Sequence, residues 1–322
     1  MSNDRTHQSN RDIVAIGPER PTFGSWNWIG AEMAAELSEH FTTCVFREQV
    51  PDCDAVIFIK SRPAADRLRE LSHRAAVIYC PVDFFHQCAD VDRDRDSLRS
   101  CNRIVIHCEP LRKHFSPYAA VEYIDHHLKF ATPMRETFHS DGPLLWVGAL
   151  SNLPTFVEWA NRHRLPAELW VLTNPQQGTR SPQAAQFGFR SRNDVKIGLW
   201  THQRHRAWTE RARAAIDIKA ADFRARHKPP AKAFDFIASG VPFALNSASA
   251  AVEQLRTMGF QVASPEDPDH WLSPQYWQET VTFGQMLRRT LTRERIGLRW
   301  KQIIEEAIEE RRGRLDGERC TR

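Results

Sequence analysis

The chain has 322 residues, of which 41% are hydrophobic and 10% aromatic, a globular composition with room for two domains of ordinary size. Its net charge of +4 (44 basic minus 40 acidic side chains) is too small for a dense nucleic-acid-binding surface, so we expect no stable nucleic-acid binding. Anionic small molecules and peripheral contact with a membrane surface stay open as partners. The first eleven residues lack the apolar core of a signal peptide, and no later run reaches the ~18 apolar residues of a membrane span. We therefore expect a cytoplasmic, soluble protein with a disordered N-terminus over residues 1–11.

The first half of the chain alternates between apolar runs and stretches with helical spacing. The runs that predict strands are DIVAIG (12–17), TTCVF (42–46), DAVIFIK (54–60), AAVIYCPVD (75–83) and NRIVIHC (102–108). Because these runs are continuously apolar, each strand should be buried on both faces, as in a parallel sheet covered by crossover helices. We predict an α/β domain with a doubly wound parallel sheet over residues 12–135.

The pattern restarts after a stretch of loop composition, ATPMRETFHSDGP. Further strands are predicted at LLWVGAL (144–150), ELWVLTN (168–174), DVKIGLW (194–200), AAIDIK (214–219), the end of KPPAKAFDFIASGVPFALN (228–246) and FQVAS (260–264). They predict a second Rossmann-like domain over residues 136–292. Apolar positions from Ile296 to Ile308 at steps of 3 and 4 predict a closing helix over 293–312 with one buried face, followed by a frayed tail over 313–322. Since ligands in open α/β sheets bind at the carboxyl ends of strands, we expect the two domains to face each other across a cleft.

The stretch KPPAKAFDFIASGVP predicts a helix that proline starts and glycine ends. A helix start presents unpaired N–H groups and a positive dipole end to an anion, and Lys232, one turn inside, adds a full charge. Lys219 and Lys228 add basic density nearby. The alternative is an amphipathic helix with no ligand, whose solvent-exposed face carries Lys232 and Asp235.

The order and spacing of these residues resemble the GT-B glycosyltransferases, particularly family 4 and family 1-like enzymes, over nearly the whole chain. In that family an acidic helix residue precedes a Gly-x-Pro, and Asp235, Gly240 and Pro242 occupy those places. The resemblance implies a hexosyltransferase-type enzyme with a nucleotide-sugar donor and no cofactor or metal. It implies that Asp235 holds the ribose hydroxyls while Lys232 meets the diphosphate.

The sequence departs from the family pattern at two places in the donor site. His227 stands where the family has a second acid, eight residues before the first. The loop after LLWVGAL reads Ser151 and Asn152 where the family often carries Arg and Lys, so Lys219 or Lys228 is expected to supply that charge. The predicted donor-binding residues of this domain are Lys219, His227, Lys228, Lys232 and Asp235.

In the first domain, FGSWNWIG (23–30) follows the first strand with two glycines that allow close approach of a ligand. The spacing is not GxGxxG, which argues against a nicotinamide dinucleotide. The resemblance implies that Gly24 and Ser25 lie near the acceptor and the donor phosphates, and an ordinary strand-to-helix turn is the alternative. Asp83 stands just beyond a predicted strand end, as a catalytic base for the acceptor hydroxyl or as a cap of the next helix.

The acidic run DVDRDRD (90–96) predicts a solvated helix or loop rather than a metal site, because no strand precedes it and arginines interleave with the acids. The acceptor is left open between a glycan, a lipid-linked compound, a small molecule and a modified nucleic acid. The competing functions are a non-transferase GT-B enzyme, such as a sugar-nucleotide epimerase, and a non-catalytic nucleotide-sugar-binding protein. The departures at His227 and at Ser151 and Asn152 argue for the latter.

Overall fold

The computed structural model describes residues 11–174, 182–191 and 193–320, with side chains up to residue 314 in the last range. Of the N-terminal segment predicted to be disordered, residues 1–10 lie outside this description. Part of the polar insertion that follows the second predicted strand of the second domain, residues 175–181 and 192, and the last two residues of the predicted tail also lie outside it.

The strands of the described residues form two sheets in which every pairing is parallel. The first sheet has the order β2-β1-β3-β4-β5-β6 and the second β11-β10-β7-β8-β9. The strands of the first are β1 (Ile13–Gly17), β2 (Thr42–Val45), β3 (Ala55–Ile59), β4 (Ala76–Cys80), β5 (Arg103–Ile106) and β6 (Ala120–Tyr123). Those of the second are β7 (Leu144–Gly148), β8 (Leu169–Thr173), β9 (Val195–Leu199), β10 (Ala214–Asp217) and β11 (Phe243–Leu245). The predicted fold class, α/β with two doubly wound parallel sheets, is confirmed.

Helices connect most of the successive strands, because parallel pairing requires crossover connections. In the first half they are α1 (Glu32–Leu37), α2 (Ala65–Arg74), α3 (Cys88–Arg93), α4 (Arg95–Arg99) and α5 (Arg112–Phe115), with a π-helix at Trp26–Ala31. In the second half they are α6 (Leu153–Arg162), α7 (His202–Arg211), α8 (Phe223–Arg226), α9 (Ala231–Ala238), α10 (Ala250–Thr257), α11 (Pro268–Trp271) and α12 (Pro274–Thr290). The chain ends in α13 (Arg293–Cys320). Among these helices none is both long and apolar enough to cross a membrane.

The chain divides into two compact units. The first runs to His107, resumes over Leu111–Ile124 and takes up the chain again from Arg293; the second holds Cys108–Pro110 and Asp125–Thr292. The division at Ile124 precedes the boundary predicted after residue 135. The closing helix, α13, belongs to the first unit, where it packs against α1, β3 and β4.

The apolar face predicted for α13 is confirmed, since its members are all buried: Ile296, Trp300, Ile303, Ile304, Ala307 and Ile308. The helix continues to Cys320, beyond the residue at which fraying is predicted to begin.

The prediction of a strand at FQVAS is wrong. Residues 260–264 contribute a single bridge, between Ala263 and Ala244 of β11. The N–H of Ala263 donates to the Tyr276 hydroxyl at 3.0 Å instead of to a neighbouring strand, and Pro265, which has no N–H, follows at once. The apolar residues of this segment are buried without extending the sheet.

Each sheet has one place where the order of strands reverses. In the first sheet this place is the carboxyl ends of β1 and β3, which we name the first switch point. In the second it is the carboxyl ends of β7 and β10, the second switch point. Ligands of open α/β sheets bind in the crevice at such points, because the loops there run to opposite faces of the sheet.

Candidate functional site

The second switch point holds a buried carboxylate between two lysines. Asp217, the last residue of β10, pairs with Lys219 at 2.6 Å and with Lys232 at 2.7 Å. Nζ of Lys232 also donates to the carbonyl oxygen of Val147, in β7, at 2.8 Å. Lys232 comes from α9, so a helical lysine bridges the ends of the two strands that define the switch point.

The cluster contains two ammonium groups and one carboxylate, so it has an excess of positive charge. Burial by itself would raise the pKa of Asp217, but Lys219 and Lys232 outweigh it and hold that pKa well below its usual range. Burial lowers the pKa of Lys232 to about 7, against the opposing attraction of Asp217. A bound anion would favour the charged form of Lys232 and would itself be held by that charge.

Two asparagines shape the surroundings of the cluster. Nζ of Lys228 donates to Oδ1 of Asn152 at 2.7 Å, which places this lysine beside the turn at Leu150–Asn152, where the sequence lacks the expected basic pair. Asn246, just after β11, accepts from the N–H of Lys219 at 2.8 Å and donates to its carbonyl oxygen at 2.9 Å. Asn246 therefore fixes the backbone from which the Lys219 side chain leaves.

The helix that presents Lys232 has the predicted bounds. Pro230 immediately precedes α9, and Gly240 follows its end with a φ of +68°. A Cβ at this glycine would lie 2.9 Å from Sδ of Met134 and 3.1 Å from the backbone nitrogen of Arg135. Glycine is required here by both the left-handed backbone and the close packing.

Asp235, three residues after Lys232 on α9, contacts a different part of the second unit. It is only 4% exposed, and its Oδ1 accepts from the N–H groups of Lys129 at 2.9 Å and Phe130 at 3.1 Å. Burial raises the pKa of Asp235 to about 7, despite these two hydrogen bonds. The alternative that placed Asp235 on a solvent-exposed face is wrong. The carboxylate of Asp235, for which the resemblance implies a contact with ribose hydroxyls, binds the backbone of residues 129 and 130.

His227 contacts a residue one turn earlier in the chain. Its Nδ1 lies 2.8 Å from the carbonyl oxygen of Phe223, one turn back, and the two rings lie 4.4 Å apart. The residue that replaces the second acid of the family pattern thus ends the short helix α8.

A cavity of about 440 Å³ lies in the second unit and is lined by Lys129, Phe130, Ala131, Thr132, Pro133, His202, His205, Arg206 and Arg288. His205 is 5% exposed, and burial lowers its pKa to about 4, so its imidazole is neutral at neutral pH. Its Nδ1 has no hydrogen-bond partner within the described residues. Its ring lies 6.1 Å from that of Phe236, one turn after Lys232 on α9, so this helix joins the cavity to the lysine cluster.

The first switch point holds an ion pair of a different kind. Lys60, just after β3, pairs with Asp83, in the loop after β4. Its Nζ lies 5.2 Å from the ring centre of Phe23, in the loop after β1. The N-cap of α3 is Gln87, so the alternative in which Asp83 caps the next helix is wrong.

The backbone around this pair adopts a conformation that side chains disfavour. Lys60 has a φ of 59° and Val82 a φ of 49°, so both lie in the left-handed region. This conformation is uncommon for any residue other than glycine and is rare for a β-branched residue such as Val82. The backbone of Lys60 is held at both ends by β4, because its N–H donates to Cys80 at 2.9 Å and its carbonyl accepts from the Tyr79 hydroxyl at 2.9 Å. Such strain persists where surrounding contacts hold it, often at functional sites.

Gly24 and Ser25 directly follow Phe23 and form the helical start that continues as the π-helix at Trp26–Ala31. A Cβ at Gly24 would meet no atom within 4 Å, so packing does not require glycine there, whereas at Gly30 it would lie 2.3 Å from the Trp26 ring. Oγ of Ser25 is buried and lacks a hydrogen-bond partner among the described residues. The ligand contacts expected of Gly24 and Ser25 stay predictions.

The acids of DVDRDRD already have structural partners. Asp90 completes the capping box of α3, Asp92 accepts from the Tyr118 hydroxyl at 2.7 Å, and Asp94 pairs with Arg62. In the part of the chain that is described, no group of three or more His, Cys, Asp or Glu side chains is arranged to hold a metal ion.

Sequence reasoning missed three residues of these sites: Asp217, Asn246 and Lys60. Asp217 had a usable signal, since an acid inside the apolar run AAIDIK must be paired when the strand is buried, and Lys219 lies two residues on, on the same face. Asn246 and Lys60 have no comparable local signal, because their partners come from other strands.

No family model matches the sequence, and no curated protein matches it. Solved structures do match. AviGT4, a glycosyltransferase involved in avilamycin A biosynthesis, is similar over 93% of this chain and 98% of its own, with a TM-score of 0.60 and 13% identity. An E. coli trehalose-6-phosphate structure bound with UDP-2-fluoro glucose is similar over 92% and 98%, with a TM-score of 0.58 and 9% identity. The trehalose 6-phosphate synthase of Burkholderia multivorans is similar over 86% and 75%, with a TM-score of 0.55 and 10% identity. The chain therefore has the GT-B glycosyltransferase fold.

Proposed function

We propose that the protein is a glycosyltransferase of the hexosyltransferase type, which moves a sugar from a nucleotide-sugar donor to an acceptor without a metal ion. The observation that carries the proposal is the cluster of Asp217, Lys219 and Lys232 at the second switch point. It puts surplus positive charge where an open α/β sheet binds its ligand. That the similar E. coli structure is bound with UDP-2-fluoro glucose supports a nucleotide-sugar as the anion.

In this proposal the diphosphate of the donor lies against Lys219 and Lys232, with Lys228 at the edge beside Asn152. Asp217 keeps the two inner lysines in place before the donor arrives, so that little reorganisation is needed on binding. The nucleoside extends along α9 towards the cavity of about 440 Å³, a size typical of ligand pockets. The neutral imidazole of His205 suits an uncharged polar edge, such as that of a base, better than it suits a phosphate.

The transfer breaks the bond between the anomeric carbon and the phosphate oxygen and forms one between that carbon and an acceptor oxygen. The departing nucleoside diphosphate gains negative charge, which Lys219 and Lys232 neutralise. The acceptor hydroxyl loses its proton to a base, and Asp83 is the carboxylate that we assign to this step. No oxidation or reduction is involved.

The proposed independence from metal rests on the lysines, which supply the charge that a divalent ion would otherwise provide to the diphosphate. The acids of residues 90–96 hold a hydroxyl, a capping box and an arginine rather than a common centre. Transfer in EDTA should equal transfer in buffer alone. Loss of activity in EDTA that manganese or magnesium restores would contradict this part of the proposal.

The test of the activity uses radiolabelled nucleotide-sugars, with and without a cell extract as the source of acceptor. We expect label to move into a new product only when extract is present. A change of the donor into another nucleotide-sugar would identify the non-transferase enzyme instead. Binding without either reaction would identify a non-catalytic binding protein. A thermal-shift panel of nucleoside diphosphates selects the donors first, because a ligand that binds the folded state raises Tm.

A further inference from the structure

The first switch point carries two exposed aromatic rings beside its ion pair. Phe23 is 40% exposed and Phe84 is 43% exposed, and they are two of only five large hydrophobic side chains exposed to this degree among the described residues. Phe23 lies in the loop after β1, and Phe84 directly follows Asp83. Both rings are therefore placed at the carboxyl edge of the same sheet as the pair.

The loops that carry these side chains are tightly held. The N–H of Phe84 donates to the carbonyl oxygen of Pro81 at 3.0 Å, which closes a turn around Val82, whose φ is 49°. Lys60 is fixed by its backbone bonds to β4 and by the ring of Phe23, 5.2 Å from its Nζ. A polar pair and two apolar surfaces are thus presented by fixed loops, as a preorganised binding site requires.

The charge of this site differs from that of the lysine cluster. One ammonium and one carboxylate cancel, so the pair has no surplus charge to hold a phosphate. An ammonium donates hydrogen bonds and a carboxylate accepts them, which matches two neighbouring hydroxyl groups that each do both. The exposed rings add apolar faces, which suit the C–H face of a sugar ring. A ligand with hydroxyls on its edge and C–H groups on its face is a carbohydrate.

We propose that the first switch point is a carbohydrate-binding subsite, in which Lys60 and Asp83 hydrogen-bond ring hydroxyls while Phe23 and Phe84 stack on the sugar. The inference rests on the proposed function, because it makes the acceptor of the transfer a neutral sugar or the sugar end of a glycan. Lys60 is then a specificity-determining residue of the acceptor site. The proposal does not expect a lipid tail or a nucleic acid to bind to the Lys60–Asp83 pair.

The experiment measures binding of free sugars by saturation-transfer NMR, with no donor present. The probes are the methyl glycosides of glucose, galactose and mannose, together with glucose 6-phosphate as the charged counterpart. At least one neutral glycoside should bind. Because the lysine cluster of the second switch point can also hold a phosphate, glucose 6-phosphate is compared only through the part of its binding that Phe23→Ala removes, and that part should be no tighter than binding of the glucoside. Failure of all three neutral glycosides to bind overturns the proposal, as does tighter binding of the phosphate through Phe23.

Phe23→Ala should weaken binding of the neutral glycoside about tenfold, since a stacked ring is lost. The matched control is Leu298→Ala, which removes an equally exposed hydrophobic side chain, 48% exposed, from α13 in the same unit. Lys60→Met keeps much of the side chain's length but removes its hydrogen-bond donors, and should weaken binding by a similar factor. Equal affinities for Phe23→Ala, Leu298→Ala and the parent protein overturn the proposal.

The outcome is separable from that of the proposed function. If the parent protein binds a glycoside through Phe23 and Lys60 but transfers no sugar from any donor, the subsite stands and the transferase activity is wrong. If it transfers sugar to an acceptor from extract, and Phe23→Ala leaves KM for that acceptor unchanged, the activity stands and the subsite is wrong.

Discussion

The two switch points have the same architecture and opposite chemistry. Both lie where two parallel strands diverge, and both hold a carboxylate paired with a lysine from a neighbouring element. At the second switch point two lysines, Lys219 and Lys232, surround one buried acid. At the first, Lys60 and Asp83 balance each other, and the exposed neighbours are the rings of Phe23 and Phe84.

The two proposals together predict that one fold supplies two ligand chemistries. Surplus positive charge on a preorganised cluster favours an anion, whereas a balanced pair between apolar surfaces favours a neutral, hydroxylated ligand. The sheet decides where the ligand binds, and a few loop residues decide what it is. Substitutions that change only the charge balance should therefore act on one site and not on the other.

The largest effect is expected from Asp217→Asn. This change leaves Lys219 and Lys232 in a largely buried place without their counter-charge, and breaking a buried pair costs about 3 kcal/mol of unfolding free energy. Urea unfolding of the whole protein measures this loss of unfolding free energy. Glu253→Gln, which removes an acid from an exposed pair with Arg256, is the control and should leave unfolding unchanged. Equal unfolding of the two variants would show that the cluster contributes nothing to stability.

Lys232→Ala should weaken binding of a nucleoside diphosphate by roughly ten- to a hundredfold, because a charge-assisted hydrogen bond to phosphate is lost. It should also lower stability, contrary to what an exposed lysine predicts, since Nζ of Lys232 contacts both Asp217 and Val147. Titration calorimetry with UDP and with the nucleoside alone separates the phosphate contribution.

Lys301→Ala is the matched control for that variant. Lys301 is 32% exposed and paired with Glu305, and Lys232 is 29% exposed and paired with Asp217, but Lys301 lies on α13, in the first unit. If Lys301→Ala weakens UDP binding as much as Lys232→Ala does, general charge and not the second switch point holds the diphosphate.

Asp235→Asn tests the buried carboxylate beside residues 129–130. The folded state raises the pKa of Asp235 to about 7, so ionisation destabilises the fold, and stability is lost as pH rises from about 4 towards 7. Asn keeps an acceptor for both N–H groups and does not ionise. Relative to the parent, the variant should gain roughly 2 kcal/mol between pH 5 and pH 8. Stability curves that stay parallel over this range would contradict the assignment.

The smallest effect concerns the pH dependence of donor binding. Burial lowers the pKa of Lys232 to about 7, so the free protein loses this charge as pH rises, and UDP binding should weaken by up to about 25-fold between pH 6.5 and pH 8.5. Lys232→Arg keeps its charge throughout and corrects for ionisation of UDP itself. Dissociation constants of parent and variant that change in the same ratio would show that Lys232 does not titrate in this range.

The sequence by itself determined the features that depend on neighbouring residues. Continuous apolar runs located most strands and their parallel arrangement, proline and glycine set the limits of α9, and steps of 3 and 4 defined the buried face of α13. Where a local pattern lacked a partner strand, as at residues 260–264, the prediction was wrong.

Only the tertiary structure decided which side chains meet. Lys232 and Asp235 are three residues apart on α9, yet one reaches the ends of β7 and β10 and the other the backbone at residues 129–130. Lys60 meets Asp83 because β3 and β4 are adjacent in the sheet, and α13 joins the first unit although it follows the second in the chain. Periodicity and capping act over a few residues and are visible in the sequence. Ion pairs between strand ends depend on register and strand order, which no local pattern records.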